Sequence, residues 1–132
     1  MSIASYIFSA SKEDAKRNDG LEGGTRAEFY RVTDISLQPL FTAMSGKPCP
    51  EFKPAAMSDD YQQITFAFPT QFVKQLAALD DSKEKELIVK WRDSGEAPYD
   101  NDKDLRKLLK ALVATAKTAI ESGQGMFLWN CT

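Results

Sequence analysis

The sequence predicts an α+β protein, a single compact domain in which a three- to four-stranded sheet has about five helices packed on it. Three observations lead there. A chain of 132 residues fits one domain, large enough to bury a core without disulfide or metal staples. The apolar pattern changes period along the chain, from about two in "YQQITFAFP" to about 3.6 in "LRKLLKALVATAKTAIESG", so both strands and helices are written into it. No internal repeat, low-complexity tract or interdomain linker divides it.

The elements follow in order. Ser2 to Ser9 reads as a strand with Ile3 and Ile7 on one face and Tyr6 and Phe8 on the other, so both faces are expected to be covered. Ser11 caps a brief acidic helix that Gly20 stops. After "LEGGT", the segment "RAEFYRV" is a candidate strand. A helix then carries Leu37, Leu40, Phe41 and Met44, capped by Asp34 or Ser36 and ended by Gly46, with Pro39 in its first turn. Three prolines in "KPCPEFKPAAMSDD" predict a long irregular loop over residues 47–60.

In the second half, Ile64, Phe66 and Phe68 alternate with Gln63, Thr65 and Ala67, the pattern of a strand with one buried face. Pro69 opens a helix bearing Phe72, Val73, Leu76 and Leu79. Asp81 or Ser82 caps the next, whose stripe is Leu87, Ile88 and Trp91. The plainest helix starts at Leu105 and repeats apolar residues at 108, 109, 112, 113, 116, 119 and 120 before Gly123. Met126 to Cys131 closes the chain as an apolar strand, expected to enter the sheet beside an earlier one, the N-terminal strand being the candidate.

"DNDKD", Asp100 to Asp104, looks like the start of a calcium loop. Such a loop needs Gly at its sixth position and a bidentate Glu at its twelfth; this chain has Leu105 and Ala111 there. The acidic run is expected instead to cap the long helix, through Asp100 or Asp102, with Asp104 against the positive end of the dipole.

Composition narrows the function. There are 17 basic and 19 acidic side chains, a net charge of -2, and no basic region in either half, which argues against nucleic acid as a partner. No apolar run is long enough to span a membrane and the N-terminus lacks a basic signal region, so a cytoplasmic location is expected. Cys49 and Cys131 are expected to be free thiols. The absence of histidine removes serine and cysteine triads, most zinc sites and the facial iron triad. Neither a metal nor a cofactor is implied.

What remains is carboxylates, arginine, tyrosine and thiol. Gly20, Gly23 and Gly24 lack the Lys-Ser/Thr of a phosphate loop and read as a mobile turn. Asp59 and Asp60 are either an acid–base pair or solvated turn residues. Arg26, Glu28, Arg31 and Asp34 are either an anion site or a charged strand face. Cys49, beside Lys47, is either a thiol of lowered pKa or an ordinary loop thiol. Trp91 and Trp129 are expected in the core, with Tyr99 an exposed anchor.

An N-terminal strand with a Ser-capped acidic helix ("FSASKEDAK"), a middle helix closing in "TAMSGKP", a "FPTQFVKQLAAL" helix and a C-terminal "LRKLLKALVATAKTAIESGQGMFLW" resemble, in layout, the YfbM-like family of small uncharacterised bacterial proteins. The resemblance implies a bacterial α+β single domain and brings no catalytic motif. Two function classes are therefore expected. One is a non-catalytic protein-binding module, immunity-protein-like or antitoxin-like, contacting another protein through Glu51, Phe52, Asp59, Asp60 and Tyr99, with self-association left open. The alternative is a small enzyme or small-ligand binder using carboxylates and arginines.

Overall fold

The computed structural model describes residues 3–132, and it is α+β. Among these residues the sheet has five strands, in the order β2-β1-β5-β4-β3, and every neighbouring pair is antiparallel. The strands are β1 (Ala4–Ala10), β2 (Ala27–Tyr30), β3 (Lys53–Met57), β4 (Gln63–Ala67) and β5 (Gly125–Cys131). The five α-helices are α1 (Lys12–Ala15), α2 (Asp34–Ser45), α3 (Thr70–Ala77), α4 (Glu84–Asp93) and α5 (Asp102–Ser122).

The strand count exceeds the expected three to four because β3 falls inside the segment read as an irregular loop. Pro54 has no N–H to donate and is confined to edge strands and bulges; β3 is an edge strand, and its register shifts between Pro54 and Ala56. The prolines that hid the strand from a periodicity argument are the ones an edge tolerates. β5, the C-terminal strand, lies in the middle, paired with β1 on one side and β4 on the other.

Both faces of the sheet are covered, as the two-sided pattern of β1 required. Ile7, Met126 and Leu128 point to the larger core, with Leu37, Leu40 and Phe41 of α2, Phe72 and Leu76 of α3, Ile88 and Trp91 of α4, and Leu105 to Ala119 of α5. Phe8, Ala10, Phe127 and Trp129 point the other way, under Ala15 and Leu21. A segment over residues 16–26 lies across this second face, pinned by Asn18: its Nδ2 donates to the Gln63 carbonyl (3.1 Å), its Oδ1 accepts from Thr65 Oγ1 (2.7 Å), and its carbonyl accepts from Trp129 Nε1 (3.1 Å). Tyr6 stacks on Trp129 with centroids 4.7 Å apart, and the Arg26 guanidinium lies 3.8 Å over the Tyr6 ring.

The caps differ from expectation by one to three positions. Ser11 caps α1 as read, its Oγ accepting from the Asp14 N–H. Thr33, not Asp34 or Ser36, caps α2 in a reciprocal box with Ser36, so Pro39 falls in the second turn rather than the first. Asp80 caps a 3-10 turn over Asp81–Lys83 that runs into α4. For α5 the cap is Asn101, whose Oδ1 accepts from the Asp104 N–H at 2.8 Å while its Nδ2 donates to Asp104 Oδ2 at 2.9 Å. A run of carboxylates drew attention to its neighbours, yet the amide between them can both accept and donate. Asn101→Ala should lower stability by about 0.5–2 kcal/mol, the range for losing an N-cap, as read from the urea midpoint. A smaller loss from Asn101→Ala than from Asp100→Ala would put the cap elsewhere. Asp102 meets Arg92 at 2.7 Å.

Candidate functional site

The five residues expected to form one contact surface are not brought together. Phe52 is 3% exposed and sits among Phe68 and Phe72, at 4.9 and 5.9 Å between centroids. Its role is corrected from exposed anchor to core: β3 enters the sheet directly after it, and an aromatic ring at that junction gains more by closing the core than by facing water. Glu51 is exposed at the end of β3 where Lys53 pairs with Ala67. Asp59 and Asp60 are exposed beyond the other end, where Met57 pairs with Ile64. At about 3.3 Å per strand residue, roughly 20 Å separates the two groups. Tyr99 lies on the far edge, against β2.

The turn joining β3 to β4, residues 58–62, is closed by hydrogen bonds of its own. Asp60 Oδ1 accepts from Ser58 Oγ at 2.6 Å and from the Gln62 N–H at 3.1 Å. Ser58 Oγ accepts in turn from the Gln63 N–H, the Ser58 N–H donates to the Gln63 carbonyl and the Tyr61 N–H to the Ser58 carbonyl. The Ser58 hydroxyl and Gln62 amide hold the Asp60 carboxyl below the usual carboxylate range. These are turn-making bonds, which favours the turn alternative for this pair. They also fix Tyr61, which is 70% exposed and has a φ of 59°, a left-handed backbone that a bulky residue rarely adopts. Sequence reasoning passed over Tyr61 because its signal is a backbone angle; "SDDYQ" shows only turn formers before an aromatic.

The remaining candidates resolve one by one. Arg26 is committed to the Tyr6 ring, to the Gly20 carbonyl at 3.3 Å and to Glu28 at 3.3 Å. Burial, and then the nearby Asp34 carboxylate, push the Cys49 thiol up to about 11, so the lowered pKa considered for it is corrected to a raised one. At neutral pH this thiol stays protonated and unreactive. Both cysteines are free: Cys49 packs against the larger core and Cys131 against the smaller one, on opposite faces of the sheet. Gly20 is no mobile turn, since it lies against the Tyr6 and Trp129 rings. Trp91 is fully buried and Trp129 nearly so, as expected.

Tyr99 does not stand free as an anchor. Its hydroxyl donates to the Tyr30 carbonyl at 2.8 Å and accepts from the Tyr30 N–H at 3.3 Å, and its ring packs against the larger core. Burial is the main cause that raises its phenol pKa. A cavity of about 610 Å3 runs beside it, lined by Glu28, Tyr30, Arg31, Asp104 and Lys107.

Among the described residues no group of three or more His, Cys, Asp or Glu side chains is placed to hold a metal ion, and no helix is long and apolar enough to cross a membrane. No family model, curated protein or solved structure matches the chain.

Proposed function

We propose that the protein is a non-catalytic protein-binding module of the kind that small acidic bacterial immunity proteins and antitoxins represent, working in the cytoplasm without a cofactor. Its partner meets the β3–β4 turn at Asp59, Asp60 and Tyr61. The observation that carries this proposal is the display of Tyr61: a strained, solvent-facing aromatic directly after Asp59 and Asp60, in a turn closed by the bonds of the Asp60 carboxylate and the Ser58 carbonyl. Strain that the surroundings enforce is concentrated at functional sites. An aromatic whose backbone is already fixed loses little entropy on binding, and aromatics ringed by polar groups supply most of the energy of protein contacts. The flanking carboxylates suit a basic partner surface, which is a protein rather than a nucleic acid or membrane. Kinship with the YfbM-like family belongs to the same proposal and rests on layout alone.

Tyr61→Gly separates stability from binding. Left-handed backbone costs a bulky residue about 1–2 kcal/mol, while glycine's extra freedom in the unfolded chain costs about 0.5–1 kcal/mol. The folded protein should therefore be unchanged or more stable by up to about 1.5 kcal/mol. Used as bait in lysate of its source, the wild-type protein should hold one stoichiometric partner that Tyr61→Gly and Asp59→Lys each release, with amide exchange at residues 58–63 slowed in the complex. An empty bait, or a partner indifferent to both changes, sinks the proposal. Turnover of a small substrate abolished by altering Asp59 or Arg31 would establish the enzyme alternative instead.

A further inference from the structure

The two edges of the sheet are not alike. β3 is blunted by Pro54 and a register shift. β2 is a regular four-residue strand, and its outward backbone groups can be assigned from its pairing with β1. In an antiparallel ladder alternate residues bond to the neighbour and the others face away. The Arg31 N–H donates to the Ile3 carbonyl at 2.7 Å, so Phe29 and Ala27 also face β1, while Glu28 and Tyr30 face outward. At Tyr30 both outward groups are taken by one atom, the Tyr99 hydroxyl. Glu28 lines the 610 Å3 cavity, and its outward N–H and C=O have no protein partner among the described residues. A phenol oxygen that donates to a carbonyl and accepts from the N–H of the same residue reproduces what one residue of an added strand would do.

We propose that Tyr99 is a removable plug on the β2 edge, and that the strand which replaces it is β2 of a second copy of this chain. Three features favour that occupant. A two-fold axis at Phe29 sets Glu28 opposite the partner copy's Tyr30 and the reverse, so each outward residue exchanges both bonds with the other. This register puts no like charges face to face, whereas centring on Glu28 would oppose two carboxylates, and centring on Tyr30 would carry the pairing past the strand's end. The blunted β3 edge then stops growth at two copies, since an isologous contact on a chain with one open edge closes on itself.

Sedimentation of wild type, Tyr99→Phe and Tyr99→Phe/Glu28→Pro tests this. Tyr99→Phe removes the bonds of the plug and should tighten dimerisation by about tenfold or more, two neutral hydrogen bonds being at stake in each copy. Glu28→Pro deletes an outward N–H and the exposed ion pair with Arg26, leaves the bonds between β1 and β2 in place, and should return the double variant to monomer. A Tyr99→Phe protein no more dimeric than wild type, or a dimer that survives Glu28→Pro, overturns the proposal. If Tyr99→Phe does not fold, Glu28→Cys/Tyr30→Cys provides a second readout: the opposed Cα atoms would lie about 5.5 Å apart, within disulfide reach. Oxidation should then yield a covalent dimer that neither single variant forms, and its absence is equally fatal. Protection of the Glu28 amide that appears only with a different protein bound would assign the edge to that protein and refute the second copy.

Discussion

Trp91→Ala is expected to lower the stability of the protein by about 3–5 kcal/mol, the range for truncating a large buried aromatic. The indole is fully buried between α2 and α5, and its Nε1 donates to the Ser36 carbonyl at 2.8 Å, so the ring fills the core and spends its one polar group inside α2. Removing it leaves a void that the packed neighbours close only in part. Since small domains are stable by about 5–15 kcal/mol, the variant should sit near the edge of folding at body temperature. Trp91→Phe keeps a ring and loses the N–H, and should cost distinctly less in a urea titration. Equal losses for the two variants would mean that the hydrogen bond, not the packing, is what α4 contributes.

Gly20→Ala should cost roughly 2–5 kcal/mol, two separate penalties acting at one atom. Gly20 has a φ of +64°, where a side chain adds about 1–2 kcal/mol of backbone strain. Its added Cβ would also stand 2.5 Å from Tyr6 Cδ2, a contact that cannot persist, and a tight 3.2 Å from the Trp129 ring. Pushing those rings apart disturbs the Arg26–Tyr6–Trp129 stack and adds about 1–3 kcal/mol, as overpacking does. Gly23→Ala is the control: it has a φ of +79° and nothing within 4 Å of the added atom, so it bears the first penalty alone. Matching denaturation midpoints for the two variants would show that the segment over residues 16–26 lifts away freely.

The sequence disclosed those parts of the fold that are repeated. The stripe of α5 and the two-faced pattern of β1 each state one physical demand several times over: the stripe is buried from Leu105 to Ala119, with Ile120 left exposed at its end, and both faces of β1 are covered. The single buried face expected for β4 is corrected, since Thr65 on its polar side is fully buried and bonded to Asn18. β3 escaped notice because an edge strand with Pro54 and a bulge has no period to detect. Asn101, Thr33 and Asp80 were missed as caps by a residue or more, since several adjacent polar side chains qualify and only the backbone angle selects among them. Two polar residues inside the core were likewise invisible. Asn130 and Ser5 bond to each other and to Val32, where the chain turns from β2 into α2. The candidate site was legible only as composition. Asp59 and Asp60 are exposed where a turn was expected, but Phe52 was lost to the core, and Tyr61 and the Tyr99 plug depend on a φ angle and on a contact between residues 30 and 99 that no local pattern encodes.

The place of β5 in the sheet also dictates when the sheet can exist. A chain made only as far as Ser122 contains two separate hairpin-like pairs, β1 with β2 and β3 with β4, and nothing to join them. The seam between them is a single late segment that must thread into the middle and zip to residues 4–10 on one side and 63–67 on the other. Such distant pairings charge their loop-closure entropy before they return any contact energy, which is what makes proteins of high contact order slow to fold. Until that segment docks, the inner edges of β1 and β4 are bare templates for another chain's backbone, so the interval before closure, rather than the finished structure, is when this protein is most exposed to aggregation.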